Sequence, residues 1–138
     1  MFGVYPHYVH HRKVPLLRGF DDMLYIPHSR HTTVSQKEIE ANPELTILSD
    51  SKEAGVFLVM AEEGRQIFMF GRPEYDRMTL DKEYKRDKAK NLPIQLPKDY
   101  YPDDNPDNKP VMTWRAHSNA IYSNWLNYYV YQVTPYEL

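Results

Sequence analysis

Val56–Ala61 is an unbroken apolar run, Gln66–Phe70 is a second strand-like stretch, and only Glu62-Glu63-Gly64-Arg65 separates them. Two runs of strand length joined by four residues that include a glycine read as a β-hairpin, because glycine accepts the positive φ such turns need. This hairpin constrains the fold more than any other feature of the chain.

The remaining elements are shorter. Phe2–Val9 alternates loosely with aromatic and β-branched residues and reads as a strand, with Pro6 marking a turn towards its far end. Met23–Ile26 reads as a buried strand ended by Pro27, and Leu45–Leu48 as another short strand. Ser35-Gln36-Lys37-Glu38 has capping-box spacing and opens a helix to Ala41, which Asn42-Pro43 ends. Thr79 is placed to cap a helix over Leu80–Ala89. Leu80 and Tyr84 would face the core there, and its Lys and Asp residues would face water. Asn91–Pro110 carries five prolines and reads as a long loop, a length usually reserved for functional or covering segments. His117 to about Val133 reads as a helix with an apolar stripe of Ile121, Trp125, Tyr128 and Tyr129. No repeat or linker divides the chain, so residues 1–138 form one unit, and the mixture of strands and helices suits the α/β class.

Composition excludes several functions. Lys plus Arg is 17 and Asp plus Glu is 19, so the net charge of −2 gives no reason to expect nucleic acid or an anionic membrane as partner. Cysteine is absent, which removes disulfides, thiolate zinc sites and a thiol nucleophile from these residues. His10-His11 and the His28/His31 pair are too sparse to imply a metal site, and none is expected. The first residues lack the apolar core of a signal peptide, and no apolar run is long enough to span a bilayer; a cytoplasmic location is expected.

Four segments carry a family resemblance: Pro15-Leu-Leu-Arg-Gly-Phe-Asp-Asp22, Pro27-His-Ser-Arg30, Gly71-Arg-Pro-Glu-Tyr-Asp76, and the Trp- and Tyr-rich stretch from Asn124 to Leu138. Together and in this order they resemble the homoserine O-acyltransferases of methionine biosynthesis, which use acetyl-CoA or succinyl-CoA. The resemblance covers the whole chain but only about the C-terminal half of the family's sequence. The part bearing the cysteine nucleophile is therefore expected to be missing. The resemblance implies a fold like class I glutamine amidotransferases (flavodoxin-like), a mostly parallel sheet flanked by helices. It also implies a Cys–His–Glu mechanism in which the thiol takes the acyl group and the homoserine hydroxyl then accepts it. Homoserine and acyl-CoA are the implied partners, with acyl-CoA as co-substrate and no bound cofactor.

Carried over residue by residue, the family's catalytic Glu falls on Glu74 and its catalytic His on Arg72. A guanidinium stays protonated and offers no lone pair, so Arg72 cannot act as a general base. An Arg72–Glu74 ion pair is the expected alternative. The family's substrate-binding Ser and Arg fall on Ser29 and Arg86. Without the resemblance, Ser29 would read as a loop-ordering hydroxyl and Arg86 as a solvated helix charge. With it, Arg86 suits a two-pronged grip on the homoserine carboxylate. His117 also falls in a family segment, but the Ser118 beside it departs from the pattern, and a hydrogen bond at the helix start is expected of it.

Three functions remain open at this point. The chain could be an acyltransferase portion inactive alone, a non-catalytic binding or partner protein that keeps part of the homoserine pocket, or one piece of a two-chain enzyme. A half-sheet with an unpaired edge is also expected to self-associate.

Overall fold

The computed structural model describes residues 1–131. Five strands form one sheet: β1 (Phe2–Val9), β2 (Met23–Ser29), β3 (Leu45–Ser51), β4 (Gly55–Ala61) and β5 (Gln66–Met69), in the order β2-β1-β3-β4-β5. Three helices accompany them: α1 (Gln36–Ala41), α2 (Thr79–Ala89) and α3 (Arg115–Trp125). Strands and helices are mixed as expected, but the sheet is not mostly parallel: every neighbouring strand pair is antiparallel. The physical reason lies in the connections. A parallel pair needs a crossover, usually helical. Here β3–β4 and β4–β5 are joined by turns of a few residues, and α2 and α3 both follow the last strand. The one helical crossover, β2–α1–β3, sets its two strands on either side of the antiparallel β1, so no parallel neighbours form.

The hairpin forms as expected, with Ala61 opposite Gln66 and Leu58 opposite Met69. Glu62, Glu63 and Gly64 all take positive φ in its turn. Neither proline ends its strand. Pro6 pairs with Tyr25, and Pro27 pairs with Val4. The even-numbered residues of β1 turn their N–H groups away from β2: Val4 donates to Lys98 O at 2.8 Å, and His10, just past the strand, keeps the same phase and donates to Leu48 O at 2.8 Å. Pro6 shares that phase, and β3 reaches only Tyr8 and Val9 of β1, so the N–H it lacks is not demanded by a ladder. Pro27 lies on the edge strand, where its missing donor is equally harmless.

Three apolar clusters pack on the sheet, the smallest of them Ile39 of α1 against Val56 and Val59 of β4. Leu16, Leu17, Phe20, Leu24, Ile26, Leu48, Phe57, Leu58 and Ile121 form the larger core, which ties the β1–β2 connection to α3. Asn124 reinforces this seam by donating to Leu16 O and Arg18 O, both at 2.9 Å. The second cluster joins Val4 to Leu80, Tyr84, Tyr100, Tyr101 and Trp114. The proline-rich segment is thus partly core: Tyr100 and Tyr101 are buried, and Tyr101 donates to the carboxylate of Asp81 at 2.6 Å.

Asp81 is therefore buried, not turned to water. Leu80 and Tyr84 face inward as expected. Ser35 caps α1, accepting from Glu38 N at 3.4 Å. Thr79 does not cap α2; it is the first helical residue, and Asp76 Oδ1 instead accepts from Met78 N and Thr79 Oγ1. α3 widens into a π-helical turn over Leu126–Val130. Its stripe is only partly core, since Ile121 is buried whereas Trp125 is 41% exposed. The expected end of this helix near Val133, and the last part of the fourth family segment, fall within 132–138, outside the described residues. Among the described residues no helix is long and apolar enough to cross a membrane.

Candidate functional site

The end of β2, the start of β1, the C-terminal half of α2 and residues 93–98 enclose a cleft of about 660 Å³. Ser29 enters it from the last position of β2, and Arg86 from one turn before the end of α2. The structure thus gathers two residues 57 positions apart in the sequence into one site. Between them stands Glu83, one helical turn from Arg86.

Glu83 is the organising group. Its Oε2 accepts from Ser29 Oγ at 2.8 Å, and its Oε1 accepts from Tyr75 Oη at 2.8 Å. Each carboxylate oxygen is held by a hydroxyl, which fixes the plane of the group. Ser29 spends its only hydrogen on Glu83, so its remaining lone pairs can accept but its oxygen cannot donate. Burial raises the Tyr75 pKa, the bond to Glu83 adds to this, and the nearby Arg72 cation opposes it. Tyr75 therefore stays a hydrogen-bond donor near neutral pH.

Arg86 carries its charge beside Asp87, with Nε donating to Oδ1 at 2.8 Å. This bond raises the Arg86 pKa and lowers that of Asp87. The Nε edge of the guanidinium is thereby occupied. Arg30 also lines the cleft, but its Nη1 donates to Phe70 O at 2.8 Å and its Nη2 to Ala54 O at 2.5 Å, so it braces the wall.

Arg72 and Glu74 lie just beyond β5 and do not line this cleft. Arg72 Nη1 stands 3.9 Å from Glu74 Oε1, and both side chains are about half exposed, at 54% and 50%. Such a pair contributes at most about 1 kcal/mol. Their segment is anchored at both ends, by Arg72 N donating to Pro27 O at 2.7 Å and by Trp114 Nε1 donating to Tyr75 O at 2.7 Å. Tyr75 links this segment to the cleft.

His117 differs from its expected role. Its Nδ1 accepts from Tyr25 N at 3.2 Å, so it satisfies a donor on the open edge of β2 and not one at its own helix start. His10 pairs with Asp50 at 2.8 Å, and among the described residues no group of histidine and acidic side chains is arranged to hold a metal ion. Sequence reasoning missed Glu83 and Tyr75. Their spacing from Arg86 and Glu74 was visible, but only the fold shows that both reach Ser29.

The cleft thus brings an organised carboxylate, Glu83, together with the guanidinium groups of Arg86 and Arg30. The chain belongs to the homoserine O-succinyltransferase family, whose sequence pattern matches residues 1–136. It is 62% identical over 138 residues to a homoserine O-acetyltransferase of Lachnoclostridium phytofermentans, covering all of this chain and 46% of that protein. It is 60% identical over 136 residues to one from Agathobacter rectalis, covering 99% of this chain and 44% of the relative. A third homoserine O-acetyltransferase, from Desulfitobacterium hafniense strain Y51, is 57% identical over 138 residues, with 45% of its length covered. The chain therefore spans somewhat under half the length of these relatives.

Proposed function

We propose that the cleft is the acceptor-side pocket of a homoserine O-acyltransferase and holds homoserine for acylation by acetyl-CoA or succinyl-CoA. The single observation behind this reading is the meeting of Ser29, Glu83 and Arg86 in one cleft. Homoserine is a zwitterion with a hydroxyl on a short arm. Arg86 can face its carboxylate with the guanidinium edge that Asp87 leaves free. Glu83, its plane fixed by Ser29 and Tyr75, can take the ammonium group. Ser29 Oγ, limited to accepting, suits an N–H or O–H donor of the same ligand.

Acyl transfer joins the hydroxyl oxygen to the acyl carbon, breaks the thioester C–S bond, and needs a base for the hydroxyl proton. These 138 residues supply no thiol, and Arg72, at the family's histidine position, supplies no base. In this reading Glu74 keeps the family's acid position with Arg72 as its ion-pair partner. The chain then provides the acceptor pocket, and a cysteine-bearing polypeptide segment must complete the reaction.

Calorimetric titration of the 138-residue chain with L-homoserine tests the pocket, with homoserine lactone as control because it lacks the free carboxylate. Binding of homoserine but not lactone is expected. Equal binding of both, or of neither, overturns the reading.

A further inference from the structure

One wall of the cleft is not part of the regular sheet. Pro93, Ile94, Gln95, Leu96 and Lys98 line it from a strap that runs beside the first half of β1. β3 reaches only Tyr8 and Val9 of β1, so the strap occupies a position a strand would otherwise hold. Val4 N donates to Lys98 O at 2.8 Å, and Lys98 N donates to Phe2 O at 3.1 Å, a single parallel bridge centred on Gly3. Gly3 is needed there. Its φ is +143°, and a Cβ would sit 2.3 Å from Lys98 N.

Two backbone bonds join the strap to β1, while Ile94 and Leu96 pack against the cluster around Tyr100 and Trp114 and Pro97 is buried. Pro93 and Pro97 have no N–H to add a third. Among the described residues, no side chain of 92–97 makes a hydrogen bond or ion pair. Beyond the strap the chain is firmly held, by Leu92 N bonded to Asp87 O at 3.0 Å on one side and by buried Tyr100 on the other. Lys98 is different from its neighbours. Its ammonium is bonded to the carboxylate of Glu53 in the β3–β4 turn, stands 3.6 Å from Asp99, and lies 5.2 Å from the centre of the Tyr5 ring. Tyr5 is itself buried and lines the cleft.

We propose that Lys98 is a positioning residue: its ammonium latches the strap to the sheet through Glu53 and Tyr5, and the latch sets how tightly the cleft holds an amino acid. The affinity half of this proposal rests on the homoserine reading given above; the latch half rests on geometry alone. Released at Lys98, the strap keeps its two ends but loses its register against β1, so the cleft widens without the core unfolding.

The test compares the whole chain with Lys98→Met, Lys98→Arg and Glu53→Gln, read by amide hydrogen exchange and by homoserine titration. In Lys98→Met the amides of Val4 and residue 98 should exchange about tenfold faster, with exchange in β4 unchanged. Homoserine should bind about tenfold more weakly. Lys98→Arg should restore both readouts, and Glu53→Gln should shift both in the direction of Lys98→Met. Unchanged exchange at Val4 in Lys98→Met overturns the latch. Faster exchange with undiminished homoserine affinity overturns the claim that the latch governs binding. If the wild-type chain does not bind homoserine, that claim and the reading beneath it fall together, while the exchange data still decide the latch.

Discussion

His7 and His28 meet Nε2 to Nε2 at 2.9 Å, with both side chains fully buried. His7 Nδ1 lies 2.8 Å from Tyr5 O, a carbonyl that can only accept. Nδ1 of His7 therefore carries the proton, and His28 must donate through Nε2. That assignment leaves His28 Nδ1 as a bare acceptor, and among the described residues it has no partner. The pair is built for two neutral rings.

Acid should therefore destabilise the protein well above the carboxylate range. Burial lowers His7 to about 4, with the Tyr5 bond and Asp50 opposing and Arg30 assisting. Burial lowers His28 to about 3, assisted by His7, Arg30 and the terminal ammonium. Both folded values lie below the unfolded one. As pH falls through about 6.5 the unfolded chain takes up protons that the native chain refuses, so stability falls. Each ring should cost about 2 kcal/mol between pH 7 and pH 5. Urea unfolding at several pH values checks this, and a flat profile from pH 7 to 5 would count against it. His28→Asn should flatten the dependence by about half.

Removing the Tyr101 hydroxyl should destabilise the fold. Asp81 is only 5% exposed, receives the Tyr101 hydroxyl at 2.6 Å and pairs with Lys85 at 3.0 Å. Tyr101→Phe leaves a buried carboxylate short of a donor, at a cost of about 1–3 kcal/mol. Thermal unfolding should show a clear drop in midpoint, and a change smaller than that of an exposed control such as Tyr131→Phe would refute the role.

Gly64→Ala should loosen the hairpin turn from the last helix. Gly64 sits at φ +93°, and a Cβ there would lie 2.1 Å from the Tyr129 ring. Tyr129 in turn accepts from Leu16 N at 3.2 Å. Backbone strain and the displaced ring together should cost about 2–3 kcal/mol. Denaturant unfolding measures this loss; wild-type stability would show that the ring moves aside freely.

Ligand affinity should depend on the shape of the cation in the cleft as well as its charge. Arg86→Lys keeps the charge but loses the planar fork, so homoserine binding should weaken about tenfold or more. Ser29→Ala removes one of the two hydroxyls on Glu83 and should weaken binding by a similar or smaller factor. Titration of the two variants decides, and unaltered affinity in Arg86→Lys would remove the bidentate grip.

Catalysis should require a thiol that these residues lack and a base that Arg72 cannot supply. The chain alone should release no CoA from acetyl-CoA or succinyl-CoA when homoserine is added, and Arg72→His should not change that. Combined with the N-terminal portion of a cysteine-bearing relative, the Arg72→His form should exceed the Arg72 form by about 100-fold or more. Equal rates would show that the base lies somewhere other than position 72.

Much of the local structure was legible because it depends on near neighbours. The hairpin of β4 and β5 follows from two apolar runs around a glycine, the Ser35 cap from its spacing to Glu38, and the inward face of α2 from Leu80 and Tyr84. Strand direction was not legible locally. The expected parallel sheet rested on resemblance, and it fails because β1 lies between the parallel strands β2 and β3 and tight turns reverse the chain at β4 and β5. Pro6 and Pro27 misled for a related reason: whether a missing N–H matters depends on which side of the strand has a partner.

The sequence by itself determined that these residues hold no thiol and that position 72 holds an arginine, which is no base. Those are facts of residue type, and folding cannot change them. Only the tertiary structure decided that Glu83 and Tyr75 join Ser29, that Asp81 and the histidine pair are buried, and that Lys98 meets Glu53. Each of those depends on groups far apart in the chain being brought within hydrogen-bond distance, and packing of the whole sheet and its covering segments sets that distance.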